Sequence, residues 1–381
     1  MTNQVKLIAT AAMGLESVVA DEVRNLGYEV DVDNGRIIFE APISAIPRCN
    51  LWLRSADRVK LVVGEFKATT FDELFEGTKA LAWENFVSED GQFPVSGKSV
   101  KSTLYSVPDC QKIVKKAIAE RLKRKYGMAS KMPETGAMYK VEVSLLKDTA
   151  LLTIDTSGVG LHKRGYRVGQ GEAPLKETMA AALILLTNWR PDYPLIDPFC
   201  GSGTIPIEAA LIGQNIAPGF NREFSAEEWG FIRNKYWDEA FQEAEDLAKY
   251  DQKLEIIGSD IDHKMIEIAK SNSLEAGLGE LVSWKQMQVS DLSIRRDNGY
   301  IIANPPYGQR IGDLENVQKM YQDLGNIMKK HPSWSVYILT ALETFEKHYG
   351  EKATKKRKLF NGFIKTDYYQ YFGKKIKGAE Q

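Results

Sequence analysis

Apolar and polar positions alternate in short, regular blocks from the start of the chain. QVKLIATA reads as a strand. Between Gly14 and Gly27, residues Leu15, Val18, Val19, Val23 and Leu26 share one helical face that ends at a glycine. YEVDV and RIIFEAP read as strands joined at Asp33-Asn34-Gly35, a hairpin signal. Ile43 to Arg54 is helical in pattern, and RVKLVVGEF is a strand. This order over residues 1–66 predicts a small ferredoxin-like α+β unit. Residues 67–158 predict a second α+β piece. FDELFEGTKALAW is helical and FPVSGKSV extended. A second helix starts at Asp109, points Ile113, Val114, Ala117, Ile118 and Leu122 inward, and stops at Gly127. YKVEVSLLKD and TALLTIDTSG follow as adjacent strands.

Residues 159–381 change character. The strands PLIDPF, EIIGSDI, VSWKQMQV, YIIANPP and WSVYILTA alternate with helical stretches, which predicts a parallel α/β sheet wrapped by helices. The last pair, KKRKLF and FIKTDYYQYF, flanks Asn361-Gly362 and reads as an antiparallel hairpin turning at those two residues.

Composition adds the broad class. The 381 residues are 43% apolar and 27% charged, as in an ordinary soluble protein of two or three domains. No run is long and apolar enough for a membrane span, and MTNQVKLIAT lacks the form of a secretory leader. A cytoplasmic location is therefore expected, with no membrane partner and no obligate protein partner evident. Cys49, Cys110 and Cys200 are scattered and suit neither a disulfide framework nor a metal site. The net charge of −1 hides an uneven distribution. Residues 98–131 hold ten Lys/Arg against two acids, a net +8, and residues 352–377 hold nine against one, also +8. Two basic blocks on a neutral chain fit phosphate-facing surfaces or solvated faces.

Candidate chemistry gathers at strand ends. Asp197-Pro198-Phe199-Cys200-Gly201-Ser202-Gly203-Thr204 follows an apolar strand and precedes the helical IPIEAALIG. Glycines there let backbone approach a ligand where open α/β sheets bind one. A dinucleotide fold would favour a third glycine where Pro206 stands. Gly258-Ser259-Asp260-Ile261-Asp262 ends the next strand. Asp260 is placed to accept from both hydroxyls of a ribose, and Asp262 to cap the following helix. Asp291 follows a third strand, with an adenine amino group or a loop role as its alternatives. Asn304-Pro305-Pro306-Tyr307-Gly308 follows YIIA. Two prolines stiffen that turn and remove amide donors. An Asn carbonyl with a proline carbonyl can hold both hydrogens of an –NH₂ group, and the tyrosine offers a face for a base. This chemistry needs no metal.

Asp-Pro-Phe-Cys-Gly-Ser-Gly-Thr with Asn-Pro-Pro-Tyr-Gly resembles the amino-methyltransferase branch of the class I fold. The upstream Leu161-His162-Lys163-Arg164-Gly165-Tyr166-Arg167 and Ala173-Pro174-Leu175-Lys176-Glu177-Thr178 resemble its THUMP-domain RNA guanine-N2 subgroup, as in the bacterial large-subunit ribosomal RNA enzymes. The resemblance implies three domains: a ferredoxin-like unit at 1–66, a THUMP RNA-binding domain at 67–158, and a Rossmann-like methyltransferase domain at 159–381. It implies S-adenosylmethionine held by Asp197, Phe199, Gly201, Gly203 and Thr204, with Asp260 and Ile261 at the ribose and Asp291 at the adenine. Asn304, Pro305 and Tyr307 would hold the target base. Lys112, Lys115, Lys116, Lys123, Arg124, Lys125, Arg164 and Arg167 are the candidate phosphate contacts. The implied partner is RNA, 23S ribosomal RNA or its precursor. The alternatives are a transfer RNA guanine, an adenine N6 in RNA or DNA, or a non-catalytic RNA-binding protein. The last would show decay in these motifs, and none is visible. Some members carry a second fused methyltransferase domain; one is present here, which predicts a single modification.

Asp260 follows Asp197 by 63 residues, where about 20 is usual in nucleotide folds. The excess, near residues 214–253, holds Phe220, Phe224, Trp229, Phe231, Tyr236 and Trp237. It is either a packed helical insertion or an aromatic wall beside an extruded base.

Overall fold

The computed structural model describes residues 4–171, 174–308 and 314–374. In chain order its first elements are β1 (Gln4–Thr10), α1 (Glu16–Asn25), β2 (Asp31–Asp33), β3 (Arg36–Pro42), α2 (Ala45–Trp52), β4 (Arg58–Lys67), α3 (Phe71–Ala80), β5 (Val95–Val100), α4 (Val107–Tyr126), β6 (Lys140–Leu146) and β7 (Thr149–Asp155). There follow α5 (Glu177–Leu185), β8 (Leu195–Asp197), α6 (Thr204–Gly213), α7 (Asn234–Leu247), β9 (Ile256–Asp260), α8 (His263–Glu275) and β10 (Val282–Gln286). The last are β11 (Tyr300–Ala303), α9 (Leu314–Met328), β12 (Ser335–Thr340), α10 (Phe345–Tyr349), β13 (Lys355–Asn361) and β14 (Ile364–Tyr371). No helix among the described residues is long and apolar enough to cross a membrane.

Two compact units result, and they cut across the contiguous division expected from sequence. The first takes the chain up to Ala11, then Val19–Leu161, and then Arg222–Glu243. The second takes Ala12–Val18, His162–Asn221, and the chain from Ala244 onward.

In the first unit the two expected α+β pieces share one seven-stranded sheet, ordered β2-β3-β1-β4-β7-β6-β5. They join where β4 pairs antiparallel with β7, from Lys60 opposite Asp155 to Lys67 opposite Thr149. Helix α3 starts at a capping box, with Thr70 and Glu73 each satisfying the other's backbone N–H. Helix α4 begins two residues before Asp109, with Pro108 in its first turn, and ends at left-handed Gly127. Its Val114, Ala117, Ile118 and Leu122 are buried, as the periodicity predicts.

The aromatic insertion is also core of this first unit. Phe224, Trp229, Ile232 and Trp237 join the cluster that contains Trp83, Phe93, Ile118 and Tyr139. Trp229 stacks on Tyr139 at 5.1 Å, and its indole N–H donates to the Met138 carbonyl at 3.1 Å. Phe231 meets Phe86 edge-on at 5.6 Å. Glu243 forms a forked ion pair with Arg48 at 2.7 Å. A segment that buries this much aromatic surface follows the partner that covers it, whatever its place in the chain.

The second unit has the sheet order β10-β9-β8-β11-β12-β14-β13, parallel from β10 to β12 and antiparallel at β14 and β13. Alternate residues of each strand feed opposite faces. Leu195, Ile302, Tyr337 and Tyr368 face one core with α5 and α6. Ile196, Ile301, Ile338 and Tyr369 face the other with α9 and α10. Helices α5 and α6 are apolar nearly all round and accordingly buried nearly throughout. The strand order reverses at β8 and β11, so the crevice beyond their carboxyl ends is the natural ligand site.

Candidate active site

Strand β8 is three residues long and ends on Asp197. The Asp197 side chain is 2% exposed and accepts from the Phe199 N–H at 3.0 Å. Burial pushes its carboxyl well above the ordinary range. The turn beyond it is tied to the neighbouring strand. Cys200 N–H donates to the Ser259 carbonyl at 2.9 Å, and Gly201 N–H donates to Asp260 at 3.0 Å. The other Asp260 oxygen accepts from Asp262 N–H at 2.9 Å. Burial also raises the Asp260 carboxyl, with these amide donors opposing it. Asp262 caps α8 by accepting from Lys264 N–H, and it also borders the cavity.

The glycines have a packing reason besides their turn. A Cβ on Gly203, at φ +86, would stand 2.6 Å from the Trp284 ring, and one on Gly258 would stand 2.4 Å from it. Trp284 on β10 thus lies directly against the turn, and side chains at either position would displace it.

At the end of β11 the Asn304 side chain is half-buried. Its Oδ1 accepts from the Tyr307 hydroxyl at 2.5 Å. The Pro306 carbonyl accepts from the Tyr321 hydroxyl at 2.9 Å, which also meets Thr340 Oγ1 at 3.0 Å. The Asn361 amide donates to the Tyr307 hydroxyl at 3.2 Å. Burial pushes the Tyr307 hydroxyl up to about 12, so it keeps its proton at neutral pH.

One cavity of about 680 Å³ brings these groups together. Of the residues expected from sequence it is lined by Asp197, Phe199, Gly201, Thr204, Asp260, Asn304, Pro305 and Tyr307. Gly203, Ile261 and Asp291 are not in its lining; Ile261 is 68% exposed, and Asp291 accepts only from the neighbouring Ser290 hydroxyl. None of the lining residues comes from 214–253, so the aromatic insertion is a packed core element and not a wall of this pocket. The cavity falls in the size range of small-molecule sites. Two carboxylates, a glycine turn open to a ligand at Gly201, and an apolar floor including Phe199 and Ile205 fit an adenosyl cofactor with a cationic sulfur.

Three expected phosphate contacts are engaged elsewhere. Arg164 is 3% exposed and paired with Glu208 at 3.4 Å, beside Tyr166, which donates to the same carboxylate at 3.0 Å. Arg167 pairs with Glu177 at 2.7 Å and donates to Ser202 Oγ at 3.1 Å, Thr204 Oγ1 at 3.0 Å and the Leu175 carbonyl. It braces the glycine turn from behind, with buried Asn272 bonding both Gly169 and Ser202. Lys115 folds over the Phe93 ring at 3.6 Å and pairs with Glu134. Exposed on α4 are Lys112, Lys116, Arg124 and Lys125, with Lys123 half-exposed. Ala173, and the part of the second basic block beyond Lys374, lie outside the described residues.

Sequence reasoning missed Tyr321, Asn361, Asn272 and Trp284. The Trp284 signal was present, as an aromatic one strand away from two glycines. The three cysteines are buried and free, and no metal-ligating cluster occurs among the described residues.

Three family models match the chain: the RlmL ferredoxin-like domain over 6–60, the THUMP domain over 68–155, and the RMKL-like methyltransferase domain over 164–370. YpsC of Bacillus subtilis (strain 168), provisionally named an RNA methyltransferase, is 64% identical over 97% of this chain and 96% of its own. A ribosomal RNA large subunit methyltransferase K/L of Syntrophotalea carbinolica (strain DSM 2380) is 34% identical over 96% of this chain, which spans only 53% of that protein. The solved structure of a predicted N6-adenine-specific DNA methylase from Listeria monocytogenes str. 4b F2365 is 62% identical, with a TM-score of 0.94 over 98% of this chain and 97% of that one. SMU.472, provisionally a methyltransferase and complexed with SAH, is 50% identical, with a TM-score of 0.95 over 99% of this chain and 100% of that one.

Proposed function

Because the chain belongs to the RMKL-like methyltransferase family, we propose that it methylates the exocyclic N2 of a guanosine in RNA, within 23S ribosomal RNA or its precursor. The cofactor is S-adenosylmethionine. The observation that carries the reading is the meeting, in one cavity, of the Asp197–Asp260 turn with Asn304, Pro305 and Tyr307.

When bound, S-adenosylmethionine supplies a methyl group on a cationic sulfur, open to displacement by a nitrogen lone pair. Asp260 is pre-aimed by the amides of Gly201 and Asp262, and its remaining lone pairs accept from ribose hydroxyls. Asn304 Oδ1 accepts one hydrogen of the target amine. The Pro305 carbonyl accepts the other. Two acceptors on the amine draw its lone pair out of conjugation with the ring and orient it as a nucleophile. The Tyr307 ring gives the base a stacking face. After transfer the nitrogen sheds one proton to water.

The THUMP match and the exposed cations of α4 support RNA as the substrate. Large-subunit ribosomal RNA is supported by the name of the Syntrophotalea relative, and guanine by the Leu161–Arg167 and Ala173–Thr178 resemblance. The test is mass spectrometry of nucleosides from ribosomal RNA of cells with and without the gene. Loss of one N2-methylguanosine from the large subunit is expected. Loss of N6-methyladenosine, or a change confined to transfer RNA, overturns the assignment. Asn304→Ala is expected to lower single-turnover rates by roughly 100–1,000-fold with cofactor affinity nearly intact.

A further inference from the structure

The tip of the terminal hairpin reaches the same cavity: Asn361 and Ile364 line it together with Asn304 and Tyr307. The turn is made by Gly362 and Phe363, one residue later than the Asn-Gly pattern suggests, with Gly362 at φ +63. Asn361 is instead the last residue of β13, paired across the ladder with Ile364. Its side chain is therefore not engaged in making the turn, and its backbone is fixed by the sheet.

We propose that Asn361 is a positioning residue of the base pocket, fixing through the Tyr307 hydroxyl which atom of the Asn304 amide is offered to the target amine. The proposal rests on the reading of Asn304 as an acceptor for that amine.

A phenolic hydroxyl has one proton to give and lone pairs to receive. The Asn361 Nδ2 group carries only donors, and it donates to the hydroxyl at 3.2 Å. The hydroxyl proton is thereby directed away from Asn361, to Asn304 Oδ1 at 2.5 Å. Burial of Tyr307 keeps that proton in place across the physiological range. The chain Asn361 Nδ2–H to Tyr307 Oη–H to Asn304 Oδ1 thus has a direction, and the direction matters. The O and N of an amide have nearly the same shape, so only its partners decide which way it faces. A flipped Asn304 would turn donors toward an amine that is itself a donor. In the observed orientation Oδ1 has accepted one hydrogen and keeps a second lone pair for the amine.

The experiment uses the full chain, tritiated S-adenosylmethionine and ribosomal RNA from cells lacking the gene. It compares Asn304→Ala, Asn361→Ala, Asn361→Asp, Tyr307→Phe, and Tyr307→Phe combined with Asn361→Asp. Asn361→Ala removes one neutral hydrogen bond and should lower kcat roughly tenfold, with cofactor Kd unchanged by calorimetry. Asn361→Asp should be worse than Asn361→Ala, because a carboxylate accepts the Tyr307 proton and takes it from Asn304. On the Tyr307→Phe background the Asp substitution should add little further loss, since the relay is already broken. A merely structural role ranks the variants the other way, Asp being close to Asn in shape and Ala not. Asn361→Asp as active as Asn361→Ala or more so, or losses that multiply fully in the double variant, overturns the proposal while Asn304→Ala remains inactive. Wild-type turnover in Asn304→Ala overturns the parent reading and this one with it.

Discussion

In the methyltransferase unit, Arg164 and Arg167 are sealed against Glu208 and Glu177, whereas in the N-terminal unit Lys112, Lys116, Arg124 and Lys125 stand exposed along α4. Both groups are cations beside apolar residues in the sequence, and both are candidates for phosphate on that basis. Their surroundings separate them. On α4 the inward positions are filled by Val114, Ala117, Ile118 and Leu122, so the cations on the opposite face stay exposed, with only loose contacts such as Lys112 to Asp109 at 3.8 Å, Lys125 to Glu84 at 3.7 Å and Lys116 over Phe75 at 5.6 Å. Around Arg164 and Arg167 the nearest helices are buried on nearly all sides, and each carries an acid at an inward position, Glu177 on α5 and Glu208 on α6. A guanidinium fork suits such a buried carboxylate, whereas a strongly hydrated ammonium on a flexible stem suits solvent. The same formal charge therefore organises the cofactor turn in one unit and offers a surface in the other.

The sharpest way to break this contrast is to remove a buried partner. Arg164→Ala leaves the Glu208 carboxyl without its guanidinium inside a closed core and is expected to lower stability by about 3–5 kcal/mol. Urea denaturation at two salt concentrations checks it, and a change below about 1 kcal/mol, the range of exposed ion pairs, would place Arg164 with the surface cations. Arg167→Lys comes next. It keeps the charge but loses the fork that spans Glu177, Ser202 and Thr204. Cofactor affinity should fall by about 1–3 kcal/mol, the cost of hydrogen bonds left unmade around buried groups. Unchanged calorimetry would mean the turn holds its shape unaided. The smallest effect on stability is expected on α4. Lys112→Gln, Lys116→Gln and Lys125→Gln together should shift stability by no more than about 0.5 kcal/mol. The same triple variant should shallow the salt dependence of RNA binding by up to ~0.9 for each duplex phosphate that is no longer neutralised. A steep fall in stability, or an unchanged salt slope, would remove the contrast from that end.

Most of the site's principal residues could be read from the chain because they follow strands whose apolar runs are unmistakable. Asp197, Asp260 and Asn304 each stand at or just past such a run, and in a parallel sheet the carboxyl ends gather on one edge. What could not be read depends on partners distant in sequence. Nothing near Arg164 announces Glu208, 44 residues on. Lys115 looks like its neighbours on α4 until Phe93 and Glu134 fold around it. The hairpin pattern located the turn at Asn361 within one residue, yet that residue decides whether its side chain makes a turn or enters a pocket. The aromatic run at 220–237 was visible as apolar surface in need of cover, but its cover is the core around Trp83 and Tyr139, which local pattern cannot name.

That last feature bears on how the protein is made. During synthesis a ribosome releases the chain from its amino end, and domains generally fold as units in that order. Here the N-terminal unit is short of Phe224, Trp229 and Trp237 until residue 243 has cleared the exit tunnel, well after the strand carrying Asp197 has emerged. Its nascent form must wait with the surfaces around Trp83 and Tyr139 incompletely covered, while part of the next unit is already outside the exit tunnel. The two units therefore mature in an interleaved order. A ribosome stalled with residues 1–161 outside the tunnel and 222–243 still inside it would hold an N-terminal unit that has all its strands and lacks part of its core.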